Sequence, residues 1–241
     1  MAGPRIDVVE TPDLLAHRAA DAFEAAYAAA TREGGRFAVA LSGGRTPRGM
    51  LGALAERSLD WQGVHFFWSD ERCVGPDDPN SNFGMAREAL LRRVPIPGEN
   101  VHRMKGELSP QDGARDYVAQ LCAFFAGQPI FDMVYLGLGP DGHTASLFPG
   151  TSALDVTDEP CVENRVDGPV PSPWRLTLTY PAINAARRVV FLVEGADKAA
   201  ILQLVLEGQR DARRYPAQGV APAGALLWLV DSAAAARLSQ S

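Results

Sequence analysis

Residues 131–138, FDMVYLGL, form the stretch that decides the fold. The segment is apolar on both faces, which is typical of a central parallel strand that is covered by helices on each side. Apolar strands are also expected at 36–41 (RFAVAL), 64–68 (VHFFW) and 188–193 (RVVFLV), and helical segments alternate with them. This alternation predicts an α/β fold with a mostly parallel sheet sandwiched between helices.

The remaining elements are distributed along the whole chain. Thr11 as N-cap and Pro12 at the first helical position begin a long Ala-rich helix that ends before Gly34 and Gly35. The other expected helices span residues 47–57, 82–91, 109–125, 197–206 and 231–238. The other expected strands span residues 6–9, 101–104, 161–166, 175–178 and 225–230. Because no linker, internal repeat or shift in composition divides the sequence, residues 1–241 are expected to form a single domain.

Composition narrows the range of functions. The chain has 241 residues, of which 46% are hydrophobic, and its 29 acidic and 23 basic residues give a net charge of −6. Neither sign of charge forms a long run, so nucleic acid is not an expected partner, because binding to its phosphates needs a concentrated basic surface. A cleft with local Arg and Lys side chains can still bind a small anion.

Cysteine spacing and hydropathy indicate the compartment. Cys73, Cys122 and Cys161 are widely spaced, as reduced thiols are in cytosolic proteins. Acidic residues come before any apolar run near the N-terminus, and no later stretch has the length of a membrane span. We therefore expect a soluble cytoplasmic protein that does not bind membranes.

A glycine-rich loop leaves the carboxyl end of the first buried strand, where sheets of this kind bind their ligands. Its residues are Ser42, Gly43, Gly44, Arg45 and Thr46. The glycines let the backbone approach a ligand, and the free N–H groups of the helix that follows attract phosphate. The Gly-Lys-Ser/Thr ending of a Walker loop is absent. From the residues alone, a phosphate site and an ordinary strand-to-helix turn both remain open.

A charged cluster follows the strand VHFFW. Asp70, Glu71 and Arg72 place two carboxylates and a guanidinium at the end of a strand, which is costly unless they pair with each other or with a ligand. Arg72 is a candidate to clamp a phosphate or to steady an oxyanion. The alternative is a surface ion pair that closes the polar loop at 69–80.

The loop GPDGHTASLFPG after the central strand contains the best candidate for acid/base chemistry. Imidazole readily takes a proton from water near neutral pH, and Asp141 can orient His143 and stabilise its protonated form. His17, His65 and His102 lie on a helix or on strands, where structural roles are expected. A structural role in the loop remains the alternative for His143.

Cofactor and metal sites have little support. Gly137, Gly139 and Gly142 spell G-x-G-x-x-G, but Pro140 and Asp141 would put a rigid ring and a negative charge where a pyrophosphate must approach the backbone. The scattered histidines have no metal-ligand spacing. We therefore expect neither a cofactor nor a metal.

Two basic residues in the last third of the chain are further candidates. Arg175 starts the segment RLTLTYP, and Lys198 lies in the first turn of a helix, just beyond the strand VVFLV. The Lys198 ammonium could reach the same cleft and meet a phosphate. For either residue the alternative is a solvated surface charge.

Five blocks of the chain, taken together, resemble the 6-phosphogluconolactonase family. They are LSGGRTPRGML, FFWSDERCVGPDDPNSNFGMAREALL, FDMVYLGLGPDGHTASLFPG, RLTLTYPAINAARRVVFLVEGADKA and PAGALLWLVDSAAAARL. The related glucosamine-6-phosphate deaminases share single blocks, but SDER followed by SN, together with DGHTASLFPG, favours the lactonase branch. The resemblance implies a modified Rossmann-like fold. It also implies hydrolysis of a sugar-phosphate lactone, 6-phosphogluconolactone, in the oxidative pentose phosphate pathway, without a cofactor. We infer no obligate protein partner.

The resemblance also implies roles for individual residues. The positions that would handle the phosphate or the sugar are Ser42, Gly43, Gly44, Arg72 and Lys198. Arg175 is similar to the family's arginine in the R-x-T-L-T block, and His143 matches its acid/base.

These residues give a hypothesis for the reaction. The loop at 42–46, with basic side chains and Asp70, holds the substrate so that the lactone carbonyl lies near His143. His143 takes a proton from the attacking water and returns it to the departing ring oxygen, while Asp141 orients the imidazole. Arg72 or backbone N–H groups stabilise the oxyanion.

Two rival functions remain open. An aldose–ketose isomerase or a deaminase of amino-sugar phosphates would need a dedicated carboxylate base, for which Asp70 is the obvious candidate. A non-catalytic sugar-phosphate sensor would bind its ligand without turnover.

Overall fold

The computed structural model describes residues 4–32, 35–167 and 172–239. The strands in these ranges are β1 (Arg5–Val9), β2 (Phe37–Leu41), β3 (Val64–Trp68), β4 (Asp70–Arg72), β5 (Met133–Leu136), β6 (Cys161–Arg165), β7 (Trp174–Leu178), β8 (Arg188–Val193) and β9 (Ala225–Asp231). The α-helices are α1 (Pro12–Thr31), α2 (Arg45–Leu54), α3 (Asn82–Ala86), α4 (Pro110–Phe125), α5 (Tyr180–Asn184) and α6 (Ala199–Glu207). None of the described helices has the length and apolarity needed to cross a membrane.

A six-stranded parallel sheet forms the centre of the molecule, in the order β1-β9-β8-β5-β2-β3. All residues of β2 and β5 are buried, because helices cover the sheet and both faces of these strands are apolar. The predicted α/β class and the parallel sheet between helices are confirmed.

A second sheet was not predicted. It has three antiparallel strands in the order β4-β7-β6, and its first strand lies within residues 69–80, which were expected to form a loop. The strand β4 consists of the residues DER, which have no strand pattern of their own. Its conformation depends on pairing with β7, about a hundred residues later in the chain, and local propensity cannot reveal such pairing.

Several predicted boundaries are also wrong. The expected strand at 101–104 is a single bridge between Val101 and Phe66. The expected helix at 82–91 changes after α3 into a π-helical turn, Arg87–Leu91. The expected C-terminal helix is a 3₁₀ turn, Ala234–Arg237. The central strand β5 covers only half of 131–138, because the chain already leaves the sheet after Leu136.

Ser69 joins the two sheets. Its N–H donates to Leu41 O (2.7 Å) at the end of β2, and its carbonyl accepts from Leu178 N (2.8 Å) at the end of β7. This residue therefore brings the antiparallel sheet next to the carboxyl edge of the parallel one. Loops that leave β2, β5 and β8 open into the angle between the sheets.

Candidate active site

A cavity of about 370 Å³ lies in the angle between the two sheets. Loops after three parallel strands and two strands of the antiparallel sheet contribute to its wall. The polar side chains that line it and were predicted from the sequence are Ser42, Asp70, Arg72, His143, Arg175 and Lys198. Gly43 contributes backbone to the same wall.

His143 lies in a narrow loop, in which a backbone hydrogen bond and a close contact with Gly139 fix its position. Its carbonyl accepts from Gly139 N (2.8 Å), and a Cβ atom at Gly139 would lie 2.0 Å from Nδ1 of the imidazole. Glycine is therefore required at position 139 for the ring to occupy this place. On its other side the ring packs against Phe148, with the ring centroids 4.2 Å apart.

Asp141 contacts the imidazole directly. Its Oδ1 lies 2.5 Å from Nδ1 of His143 and also accepts from the backbone N–H of His143 (3.1 Å). Partial burial opposes ionisation of Asp141, but the hydrogen bond and charge of His143, together with backbone N–H groups, outweigh it and lower the pKa of the carboxyl. An ionised carboxylate at Nδ1 favours the tautomer that has its proton there, which leaves Nε2 able to accept a proton.

Two arginines occupy directly opposed positions on neighbouring strands of the antiparallel sheet. Arg72 and Arg175 are register partners in β4 and β7, and both line the cavity. Arg72 donates to Asn80 O (2.7 Å), and Arg175 donates to the backbone carbonyls of Ser172 and Trp174. Within the described residues, no carboxylate lies within 4.0 Å of either guanidinium.

In the described part of the chain this arginine pair has no salt-bridge partner, and the carboxylates of Asp70 and Glu71 act on Arg175 only from beyond salt-bridge distance. Arg175 is only 7% exposed, and burial, together with the positive charge of Arg72, lowers the pKa of its guanidinium. Like charges at directly opposed positions of a sheet are destabilising, and an anion between them would relieve that repulsion. Lys198 lines the same cavity and likewise forms no salt bridge in the described part of the chain. The three cations make the cavity suited to a phosphorylated ligand.

Asn82 packs against the glycine-rich loop. A Cβ atom at Gly43 would lie 1.7 Å from Oδ1 of Asn82, so the loop can come this close only with glycine. The amide of Asn82 donates to Asp70 O (2.9 Å), which holds it against β4. Beside it, the hydroxyl of Ser42 is buried and has no hydrogen-bond partner among the described residues.

Glu71 organises the segment that carries Asn82. Its carboxylate accepts the backbone N–H groups of Arg72, Asn82 and Phe83 at 2.7–2.8 Å and the hydroxyl of Ser81 at 3.1 Å. Burial raises the pKa of Glu71 to about 7, against the opposing effect of these hydrogen bonds. Glu71 does not line the cavity, so its role is to fix the start of α3 beside β4.

Comparison with known proteins places the chain in a family. A family model described as glucosamine-6-phosphate isomerases/6-phosphogluconolactonase matches residues 10–228. The chain belongs to this family. It is 43% identical to a 6-phosphogluconolactonase from Synechocystis sp., over 98% of both chains, and 43% identical to one from Nostoc sp., over 97% of this chain and 98% of the other.

A solved structure of the same family has the same fold. The 6-phosphogluconolactonase from Trypanosoma cruzi superimposes with a TM-score of 0.88 at 29% identity, over 99% of this chain and 98% of the other. The modified Rossmann-like fold that the resemblance implied is thereby confirmed.

Three residues of the predicted phosphate loop lie outside the cavity of this family member. Arg45 forms an ion pair with Glu194, and Arg45 and Thr46 line a separate cavity near the start of α1. The helix α2 begins at Arg45, which turns the chain away from the first cavity. Gly44 marks that turn with a φ of +113°, a backbone conformation that favours glycine.

Some residues of the cavity have no chemical signature in the sequence and were not predicted. Asn82 follows Ser81 in the SN pair, and Ser146 and Phe148 lie in the loop that carries His143. In the sequence, the SN pair is informative only as part of the family motif. Nothing in the spacing indicates which of these side chains points into the cavity.

Proposed function

We propose that the protein hydrolyses 6-phospho-D-glucono-1,5-lactone to 6-phospho-D-gluconate, a step of the oxidative pentose phosphate pathway. The observation that carries the proposal is that His143, paired with Asp141, lines the same cavity as Arg72 and Arg175, which have no salt-bridge partner among the described residues. The His143–Asp141 pair is suited to proton transfer, and the two arginines are suited to binding a phosphate. Relatives named 6-phosphogluconolactonase at 43% identity support the same substrate.

The substrate's phosphate is the anchor in this proposal. The cations Arg72, Arg175 and Lys198 attract it. The backbone at Gly43 and the hydroxyl of Ser42, which has no hydrogen-bond partner in the part of the chain that the structure describes, offer further contacts. Binding of the phosphate holds the lactone carbonyl next to the imidazole. The carbonyl, the water and the catalytic side chain are then already oriented for the reaction, which lowers its entropic cost. Arg45 and Thr46 have no part in this binding.

Hydrolysis then uses one imidazole twice. Nε2 of His143 removes a proton from water as the water oxygen attacks the lactone carbonyl, and the Asp141 carboxylate stabilises the imidazolium that forms. Arg72 or a backbone N–H group stabilises the oxyanion. When the ring C–O bond breaks, the imidazolium returns the proton to the ring oxygen, which becomes a hydroxyl. These steps need no cofactor.

The arrangement of Asp70 argues against the isomerase or deaminase alternative. A base that removes a proton from carbon must present a carboxylate oxygen to the sugar, and each hydrogen bond that this oxygen accepts from the protein makes it a weaker base. Asp70 is 7% exposed; its Oδ2 accepts from Ser146 Oγ (2.7 Å) and its Oδ1 from Asn82 Nδ2 (3.3 Å). Both oxygens are therefore engaged by the protein. The imidazole–carboxylate pair likewise favours turnover over a sensor that only binds.

We also propose the cytoplasm as the site of this activity. The three cysteines are free thiols, and Cys161 is buried in the core. Free thiols are typical of a reducing compartment.

An assay with freshly generated lactone tests the function. The lactone is produced in place from glucose 6-phosphate by its dehydrogenase, and acid release is followed with and without the protein, with spontaneous hydrolysis subtracted. We expect rapid release of 6-phosphogluconate and no ammonia from glucosamine 6-phosphate. Ammonia release without lactone hydrolysis would establish the deaminase instead, and binding of 6-phosphogluconate without any turnover would establish the sensor.

A further inference from the structure

Ser146 forms a hydrogen bond to each strand of the antiparallel sheet. Its hydroxyl donates to Asp70 Oδ2 in β4 (2.7 Å), and its backbone N–H donates to the hydroxyl of Thr177 in β7 (3.1 Å). Its carbonyl accepts from the side-chain amide of Asn164 in β6 (2.8 Å). Ser146 is 1% exposed, so all of its polar groups are satisfied inside the protein.

Two and three residues before Ser146, the same loop is bonded to its own beginning, where the chain leaves the parallel sheet. The hydroxyl of Thr144 donates to Gly137 O (2.9 Å), just beyond β5, and the carbonyl of His143 accepts from Gly139 N. Between the two attachments lies Ala145, with a φ of +47°. A side chain other than glycine adopts this left-handed conformation at a cost, so it persists only where neighbouring contacts determine it strongly.

We propose that Ser146 is a positioning residue for the reaction. By bonding to all three strands it fixes the loop of His143 against the sheet that carries Arg72 and Arg175. The imidazole and the guanidinium pair come from different sheets, and Ser146 sets where one lies relative to the other. This inference rests on the proposed lactone hydrolysis and adds a residue to it.

A shift of the His143 loop relative to the arginine pair should affect turnover more than product binding. A displacement of 1 Å at the reacting atoms can cost about 100-fold in rate, while the phosphate remains bound to cations on the antiparallel sheet. For Ser146→Ala we therefore expect kcat to fall by about 10- to 100-fold. We expect the inhibition constant of 6-phosphogluconate to change by less than about threefold, since the phosphate-binding side chains remain.

Thr179→Val is the matched control. Thr179 is also fully buried, and its hydroxyl donates to the carbonyl of Glu159, but it does not line the cavity. Loss of this hydroxyl should leave kcat near the wild-type value. A Ser146→Ala variant with wild-type kcat, or with a raised KM and unchanged kcat, overturns the proposal. Wild-type protein that fails to open the lactone overturns the proposed function instead.

Variants at Thr177 keep the test decisive if Ser146→Ala does not fold. Thr177→Val removes the acceptor for the Ser146 N–H at nearly constant volume, whereas Thr177→Ser keeps the hydroxyl. We expect kcat to fall in the first and to recover in the second, with 6-phosphogluconate inhibition nearly the same in both. A folded Thr177→Val variant with wild-type kcat also overturns the proposal.

Discussion

Nδ1 of His143 lies 2.5 Å from Oδ1 of Asp141, and the backbone N–H of His143 donates to the same oxygen. One carboxylate oxygen thus fixes both the ring and the peptide that carries it. The other ring nitrogen is left for the substrate, which is the arrangement that a general base requires.

Replacement of His143 tests this role. We expect His143→Asn to lower kcat by about 10²- to 10⁴-fold, because the variant has no group to take the proton from water. The inhibition constant of 6-phosphogluconate should stay close to the wild-type value, since Arg72, Arg175 and Lys198 are unchanged. Steady-state kinetics on the lactone measure both quantities. His17→Asn, in α1 and outside the cavity, is the control, and wild-type turnover in His143→Asn would remove the imidazole from the mechanism.

Replacement of Arg175 should weaken product binding more than it lowers turnover. For Arg175→Met we expect the affinity for 6-phosphogluconate to fall by about tenfold or more, because a charged hydrogen bond contributes about 1.5–3 kcal/mol. Thermal unfolding with added product measures the effect, since product should raise the melting temperature of the wild type more than that of the variant.

Arg188→Met is the control for this prediction. Arg188 lies at the amino end of β8, opposite the edge that forms the cavity, so its loss should leave product binding intact. Equal stabilisation of Arg175→Met and the wild type by product would place the phosphate elsewhere.

The parallel sheet could be predicted from the sequence because its strands are continuous apolar runs. The strands at 64–68 and 188–193 even have the predicted ends, since a buried strand depends mainly on its own residues and the helices that cover it. The antiparallel sheet could not be predicted, because β4 is polar and pairs with a distant strand. Local pattern contains no information about such pairing.

The same distinction applies to the cavity. That Arg72, His143 and Lys198 line one cavity could be predicted, because each residue follows the carboxyl end of a parallel strand and these ends meet at one edge of the sheet. The orientation of Arg45 could not, because it depends on the residue at which α2 begins and on an ion pair with Glu194. The three bonds of Ser146 likewise depend on strands that are adjacent only after folding.

Gly43 is required by the close approach of Asn82. In Gly43→Ala, the added Cβ would collide with the Asn82 side chain and force it from its place beside Asp70. We expect kcat/KM to fall by about tenfold or more, which corresponds to about 1.4 kcal/mol of lost transition-state stabilisation. The lactone assay measures the change.

Gly52→Ala separates this steric effect from a general effect of the substitution. Nothing lies within 4 Å of a Cβ atom at Gly52, which is inside α2. This variant should keep full activity and gain up to about 1 kcal/mol in the free energy of unfolding, because alanine favours the helix. Full activity in Gly43→Ala would mean that Asn82 can move without consequence.

A pair of histidines at the far end of the sheet should make stability depend on pH. His65 Nδ1 lies 3.2 Å from His102 Nε2, next to the side chain of Phe124. Burial lowers the pKa of His102 to about 4, and the charges of His65 and Arg36 act in the same direction. Between pH 6.5 and 4 the unfolded chain therefore binds more protons than the folded protein, so the stabilising contribution is complete above pH 6.5 and is lost as the pH falls.

Denaturant unfolding at a series of pH values measures this loss. Between pH 7 and 4.5 we expect the wild type to lose about 1–2 kcal/mol more than His102→Gln, after allowance for solvent screening of a half-buried group. His17→Gln, at an exposed position, should have the same pH dependence as the wild type. If the free energy of unfolding depends on pH in the same way in the wild type and in His102→Gln, then His102 is protonated as easily in the folded protein as in the unfolded chain.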